Sequence, residues 1–428
     1  MKTAALGLQH VLAMYAGAIL VPLIVGGALG LTPEQLTYLV AIDIFMCGVA
    51  TLLQIVSNRF FGIGLPVVLG CTFTAVGPMI AIGGEYGISA IYGSIIVSGL
   101  IIFLIAGFFG KLVRFFPPIV TGTVVTIIGI TLIPVAINNL GGGQGAPDFG
   151  SVQNITLGFG TLILIVLIYR FSKGFMRSIS ILLGLILGTV AAVFMGRVDF
   201  TAVGEASYFH LIQPFYFGTP TFHWSAIITM TLVAMVSLVE STGVYFAVSD
   251  MTEKKLTEKD LAKGYRAEGL AVFIGGIFNA FQYTAFSQNV GLLQMSGVKS
   301  RKVIAVAGFM LVGLGLVPKI AAITTIIPTS VLGGAMIAMF GMVISQGIKM
   351  LSSEIGKAPG NSMIIACSVG MGLGVTVVPE IFAVLPTGIQ ILTSNGIVAG
   401  SMTAIVLNII FNMIPERKPV VVLQEKEA

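Results

Sequence analysis

Residues 284–297, TAFSQNVGLLQMSG, are short, polar and broken by glycine, yet they follow an apolar run at 268–283 almost without pause. Whether they count as a membrane crossing sets the orientation of everything after them. A second stretch poses the same question: 66–82, PVVLGCTFTAVGPMIAI, is interrupted by Gly70, Gly77 and Pro78. Around these two, apolar runs recur at 6–30, 33–57, 87–109, 115–138, 153–171, 178–196, 225–248, 303–325, 327–349, 360–383 and 394–414. Runs of about 20 apolar residues cross a bilayer core of about 30 Å as helices. Counting 66–82, 268–283 and 284–297 as crossings gives fourteen. Lysine and arginine collect on the cytoplasmic side of membrane proteins. With both termini inside, every one of the 22 basic residues falls on the inner side except Arg197 and Lys319. Removing either glycine-broken stretch inverts the later loops and destroys that asymmetry.

Composition agrees. Of 428 residues, 56% are hydrophobic and 9% charged, with a mean hydropathy of +1.03, whereas a soluble domain carries about 25% charged residues. Soluble enzymes, nucleic-acid binders and secreted disulfide scaffolds are excluded, and the net charge of +5 calls for no nucleic-acid partner. The expected fold is an all-α polytopic membrane protein in contact with lipid. Met1-Lys2 leads straight into a long span, so no cleavable signal is expected. Cys47, Cys71 and Cys367 sit in apolar runs without metal-ligand spacing. Each is expected to be a buried free thiol, and neither metal nor cofactor is expected.

Fourteen divides into seven plus seven. Pro117-Pro118-Ile119-Val120-Thr121-Gly122 opens the fifth span and Pro328-Thr329-Ser330-Val331-Leu332-Gly333 the twelfth, both reading P-x-x-V-x-G. The broken third and tenth segments also occupy matching places. An odd number of spans per half makes the repeats inverted, and paired Gly/Pro-interrupted segments point to a carrier's site near the midplane.

Three acidic residues fall inside spans: Asp43, Glu240 and Glu268. A charge there costs about 2.5–3.5 kcal/mol on insertion scales, so such a residue usually has a task. Glu240, mid-span in MTLVAMVSLVESTGVYFAV, reads as a carboxylate for solute or proton. Glu268 reads equally as a coupling group or as an interfacial partner of Arg266, and Asp43 equally as structural or functional. His10 reads first as a helix-bonding histidine and second as a proton relay; His210 and His223 read as solvated loop residues. The tenth segment concentrates Ser287, Gln288, Asn289, Gln294 and Ser296. Amides present a donor beside an acceptor, which suits the lactam edge of a nucleobase better than a simple ion.

The stretch from Gln288 to Gly297, QNVGLLQMSG, resembles the signature of the nucleobase–ascorbate transporter family, a Q/E/P-N-x-G-x4-T/S element. Gln9-His10 and Glu240-Ser241-Thr242-Gly243 also look like that family's motifs, and the likeness runs over essentially the whole chain. Within the family the sequence looks like the bacterial xanthine permeases. The resemblance implies a fourteen-segment inverted repeat with a short strand in each of segments 3 and 10. It implies a core domain (1–113 and 223–326) and a gate domain (114–222 and 327–428, including a short cytoplasmic tail). Glu240 then matches the substrate-binding glutamate, and Gln288 a specificity position where glutamine favours purines. Phe73 and Ser287 match backbone contacts to the base, and Phe286 and Phe340 aromatic positions near its ring. Asn289, His10 and Glu268 match positions tied to coupling and site architecture. Val244 departs from relatives that carry Asp or His there.

The expected function is a xanthine:H+ symporter, with urate or uracil transport as the alternative of the same family and sodium as the alternative ion. It would be a homodimer in a bacterial inner membrane, with both termini cytoplasmic. A sulfate-type anion carrier fits less well because of Glu240. A membrane-embedded enzyme would need a catalytic cluster that three isolated carboxylates do not supply.

Overall fold

A computed structural model describes residues 2–112, 116–209, 211–386, 389–390 and 393–414; His210 and the tail after Ile414 lie outside them. The helices are α1 (Lys2–Ala28), α2 (Pro33–Ile55), α3 (Val76–Tyr86), α4 (Ile88–Leu112), α5 (Pro118–Leu140), α6 (Val152–Phe171), α7 (Phe175–Ser178), α8 (Ser180–Phe194) and α9 (Thr201–Glu205). They continue as α10 (Trp224–Thr252), α11 (Glu258–Ile277), α12 (Ser287–Ser296), α13 (Arg301–Gly315), α14 (Pro318–Thr325), α15 (Thr329–Ser352), α16 (Pro359–Val377) and α17 (Gly396–Asn408). Among the described residues, nine helices are long and apolar enough to cross a membrane, ten if the bent pair α13–α14 is one span. The broken segments, the shorter α8 and the charged first turns of α11 fall outside that measure.

Helix ends follow local chemistry. α2 starts at a capping box: Gln35 N donates to Thr32 Oγ1 at 3.3 Å, and Thr32 N donates to Gln35 Oε1 at 3.0 Å. Thr257 and Asp260 repeat the device at the start of α11. The basic stretch 254–266, which lies between the apolar runs 225–248 and 268–283, is therefore largely the first turns of a helix. Prolines explain two further differences. The run 303–325 is not one straight helix but α13 and α14, bent by 80° at the break before Pro318, which cannot donate to the preceding turn. The run 360–383 leaves its helix at Val377, and Pro379 opens a short 3-10 turn.

Both broken segments contain a strand. β1 (Leu69–Cys71) and β2 (Tyr283–Ala285) pair antiparallel, Leu69 opposite Ala285, Gly70 opposite Thr284 and Cys71 opposite Tyr283. All six residues are buried, so this non-helical backbone satisfies its polar groups within protein. Gly70 is required: a Cβ there would lie 2.5 Å from the Phe286 ring. Beyond each strand the chain turns helical again, through a 3-10 turn (Phe73–Ala75) into α3 and directly into α12.

Small residues let the long helices close up. A Cβ on Gly48 of α2 would meet the Gly308 carbonyl of α13 at 2.6 Å. α2 packs along α13, α4 along α11, α5 along α15 and α16 along α17. The core centres on α1, α2, the strand pair and α10, with Tyr92, Tyr245, Tyr283, Phe281 and Met14 fully buried. α6, α8 and α16 instead turn Phe159, Ile163, Phe194 and Met371 outward. Cys367 lies on that outward side of α16 and is exposed, unlike the buried Cys47 and Cys71; an apolar run in a membrane helix has a lipid face as well as a core face.

Candidate functional site

Glu240 sits mid-helix on α10, half-buried, over a narrow gap lined by Phe116, Thr121, Val124 and Ile128 at the side of α5. Successive strand side chains point to opposite faces, and Thr284 of β2 turns toward α10. Its hydroxyl interacts with the Glu240 carboxylate and lies 3.2 Å from Ser241 Oγ. Ser241 in turn donates to Glu268 Oε2 at 3.1 Å. Tyr245 donates to the other oxygen, Glu268 Oε1, and accepts from Gln54 Nε2. Gln54 also donates to Gly264 O at 3.2 Å and accepts from Ile63 N at 3.2 Å. A continuous polar chain thus links Glu240 with Glu268 and ends on a fully engaged amide. Glu268 accepts from two hydroxyls, one on each carboxyl oxygen.

Glu268 is buried and bonded to α10, while the Arg266 guanidinium donates to Phe60 O at 3.4 Å. The interfacial pairing of Glu268 with Arg266 is not formed, because residues two apart on a helix face different ways. Val244, 7% exposed, brings no polar group to this chain.

The remaining candidates divide. Ser287 and Gln288 open α12, Ser287 exposed and Gln288 half-buried. Asn289 is buried and donates to His10 Nδ1 at 3.0 Å and to His10 O at 3.1 Å, locking α12 to α1. His10 is thereby a helix-bonding histidine. Gln294 and Ser296 are exposed at the far end of α12 and do not join the cluster. Phe73 meets Phe340 of α15 edge-on, with centroids 5.7 Å apart. Phe286 is 4% exposed and wedged against Gly17 and Gly70. Asp43 lies apart on α2, its Oδ1 accepting from Phe281 N at 2.8 Å. His223 stacks on Tyr86 at 4.2 Å rather than standing free in solvent.

The hydroxyl groups were the omission. Thr284, Ser241 and Tyr245 carry the link between the two glutamates, and the only sequence signal was a Ser-Thr pair directly after an intramembrane Glu.

Fold and site together define a multi-pass membrane transporter built around two strand-broken segments. Residues 1–381 match the model of the permease family, the nucleobase–ascorbate transporters. The chain is 67% identical over 419 residues to the xanthine permease of Bacillus subtilis (strain 168), covering 98% of this chain and 96% of that one. It is also 67% identical over 406 residues to the uric acid permease PucK of the same organism, covering 95% and 94%. In fold it resembles the transmembrane domain of a cyanobacterium bicarbonate transporter, BicA, with a TM-score of 0.65 at 15% identity, covering 92% of this chain and 97% of that one. The chain belongs to the nucleobase–ascorbate transporter family and is a permease, not an enzyme.

Proposed function

We propose that this permease takes up a purine nucleobase together with a proton, with xanthine as the substrate and uric acid as the second candidate. The observation that carries the reading is Glu240: a half-buried carboxylate, mid-span, linked through Thr284 and Ser241 to the buried Glu268. Its free acceptor capacity suits the N–H groups of a base, and Gln288 at the opening of α12 offers a donor and an acceptor for an adjacent carbonyl and N–H. The edge-on pair Phe73 and Phe340 offers an aromatic wall. Ser287 would add backbone contact, Phe286 the floor beneath Gly70, and Asn289 with His10 the fixed seat of α12. Glu268, coupled to Glu240 through hydroxyls, is suited to sense protonation there. Identity is the same toward a xanthine and a uric acid permease, which keeps both purines in view.

The same reading holds fourteen segments in a seven-plus-seven inverted repeat, with both termini cytoplasmic, in a bacterial inner membrane and as a homodimer. Residues 1–113 and 223–326 form the core; 114–222 and 327–428 form the gate. The packing of α2 on α13 and α4 on α11, against that of α5 on α15 and α16 on α17, supports this division. Movement of core against gate about the Glu240 gap then gives alternating access. Sodium in place of the proton is the variant reading. Radiolabelled uptake into cells lacking their own carriers tests it, with unlabelled xanthine, urate, hypoxanthine, uracil and sulfate as competitors. Xanthine uptake that a protonophore abolishes and sodium removal leaves intact is expected; competition by sulfate alone would overturn the reading.

A further inference from the structure

On the face of the strand pair opposite Thr284 lies a carboxyl group that the transport site does not use. Asp43 of α2 is fully buried. Its Oδ1 accepts from Phe281 N at 2.8 Å, while Oδ2 has no hydrogen-bond partner. Tyr92 of α4 and Tyr283 of β2 face it, fully buried, and their hydroxyls are also without partners. Cys71 of β1 lies against the carboxyl, with Cys47 of α2 beside it. Among the described residues, these elements bring no lysine, arginine or histidine to Asp43. The other helices packed on α2 (α1, α11, α13 and α14) bring none either.

A carboxylate held by one N–H bond, with only a weak thiol donor against it and no cation, is heavily penalised in such a place, and taking up a proton removes the penalty. A cavity of about 850 Å³ opens between α2, α9 and α14 and is lined by Tyr38, Ala41 and Ile42 of α2, whereas Asp43 itself is turned into the core and does not line it. The cavity lies at the end of the molecule that carries the 195–223 loop, which the proposed topology places outside. We propose that Asp43 is a second proton-binding site, separate from the nucleobase site and loaded from the side of the molecule on which this cavity opens. A proton from the outer aqueous phase adds to Oδ2, giving a neutral acid, and the same proton leaves when the carrier opens inward. A neutral carboxyl is the weaker acceptor for Phe281 N–H. Phe281 leads directly into β2 and the opening of α12, so the change is felt at Gln288. The proposal rests on the proton-coupled reading and adds where a proton rides.

Asp43→Asn, a mimic of the protonated acid, tests it in the full-length chain in proteoliposomes. Exchange of labelled for unlabelled xanthine should persist near the wild-type rate. Accumulation under an inward proton gradient should fall to simple equilibration, and the pH profile of uptake should flatten. Wild-type accumulation with the wild-type pH profile would overturn the proposal. So would joint loss of exchange and accumulation in a variant that reaches the membrane in normal amount, since Asp43 would then be only a structural bond to Phe281. A second measurement needs neither substrate nor that variant. The infrared spectrum of the purified protein should show a carboxylic-acid C=O band that titrates with pH and shifts in Tyr283→Phe; a spectrum unchanged by Tyr283→Phe overturns the assignment. If the wild-type protein moves no xanthine at all, the substrate reading fails while the infrared result still decides the fate of Asp43.

Discussion

Glu240 and Gln288 do different work on the proposed base, and single substitutions separate them. Glu240→Gln keeps the shape but loses an acceptor and its charge. A hydrogen bond to a charged group is worth about 1.5–3 kcal/mol, roughly a tenfold to hundredfold loss of affinity. Xanthine uptake should collapse although the protein reaches the membrane, and Glu240→Asp should retain more activity than Glu240→Gln. Wild-type affinity in Glu240→Gln would remove the carboxylate from the site. Gln288→Glu exchanges a donor–acceptor amide for an acceptor-only group of equal size. Weaker xanthine uptake and a new competition by uracil are expected in the same assay; an unaltered competition profile would show that α12 does not read the base. Neither variant touches Asn289, whose amide donates to His10.

At the scale of elements, the strand pair is the feature on which the site stands, and Gly70 is its tightest point. Gly70→Ala would place a methyl 2.5 Å from the Phe286 ring, and overpacking of this kind costs about 1–3 kcal/mol. A lower melting temperature in detergent and reduced uptake are expected, with partial recovery in Gly70→Ala combined with Phe286→Leu. A double variant no better than the single one would show that the strain lies elsewhere. This element also marks where the sequence stops being readable. Gly70, Gly77 and Pro78 show that the segment is broken, but three residues in a strand leave no periodicity to detect. Helix starts were legible where chemistry is local, as at Thr32 and Gln35. The bend before Pro318 had its local signal in Pro318-Lys319, but the long apolar stretches on both sides let 303–325 read as one span. Ser241 and Thr284, 43 residues apart, meet only because the strand turns Thr284 toward α10. Ser241 stands in the Glu240-Ser241-Thr242-Gly243 motif, but nothing in the sequence assigns it Thr284 as a partner.

For the whole molecule the governing expectation is orientation, and it can be tested without any substrate. The inward charge bias has two exceptions, and both are engaged. Arg197 pairs with Asp148 and donates to Asn154 Oδ1 at 3.1 Å, while Lys319 stands 4.3 Å over the Tyr208 ring. Neither is a free charge opposing the rule, so the bias rests on the remaining basic residues. Those nearest the site lie around the junction of α10 and α11, where Lys254 also donates to Ile63 O at 2.7 Å. Lys255 is exposed in that junction, and Ser207 is exposed in the loop that carries Arg197. Of the native thiols only Cys367 is exposed, so Cys367→Ser gives a quiet background for labelling. In that background Lys255→Cys should react with an impermeant maleimide only after the membrane is opened. Ser207→Cys should react in intact cells. Labelling of Lys255→Cys from outside would reverse the orientation, turn the cavity between α2, α9 and α14 toward the cytoplasm, and make the proton enter from the wrong side for uptake.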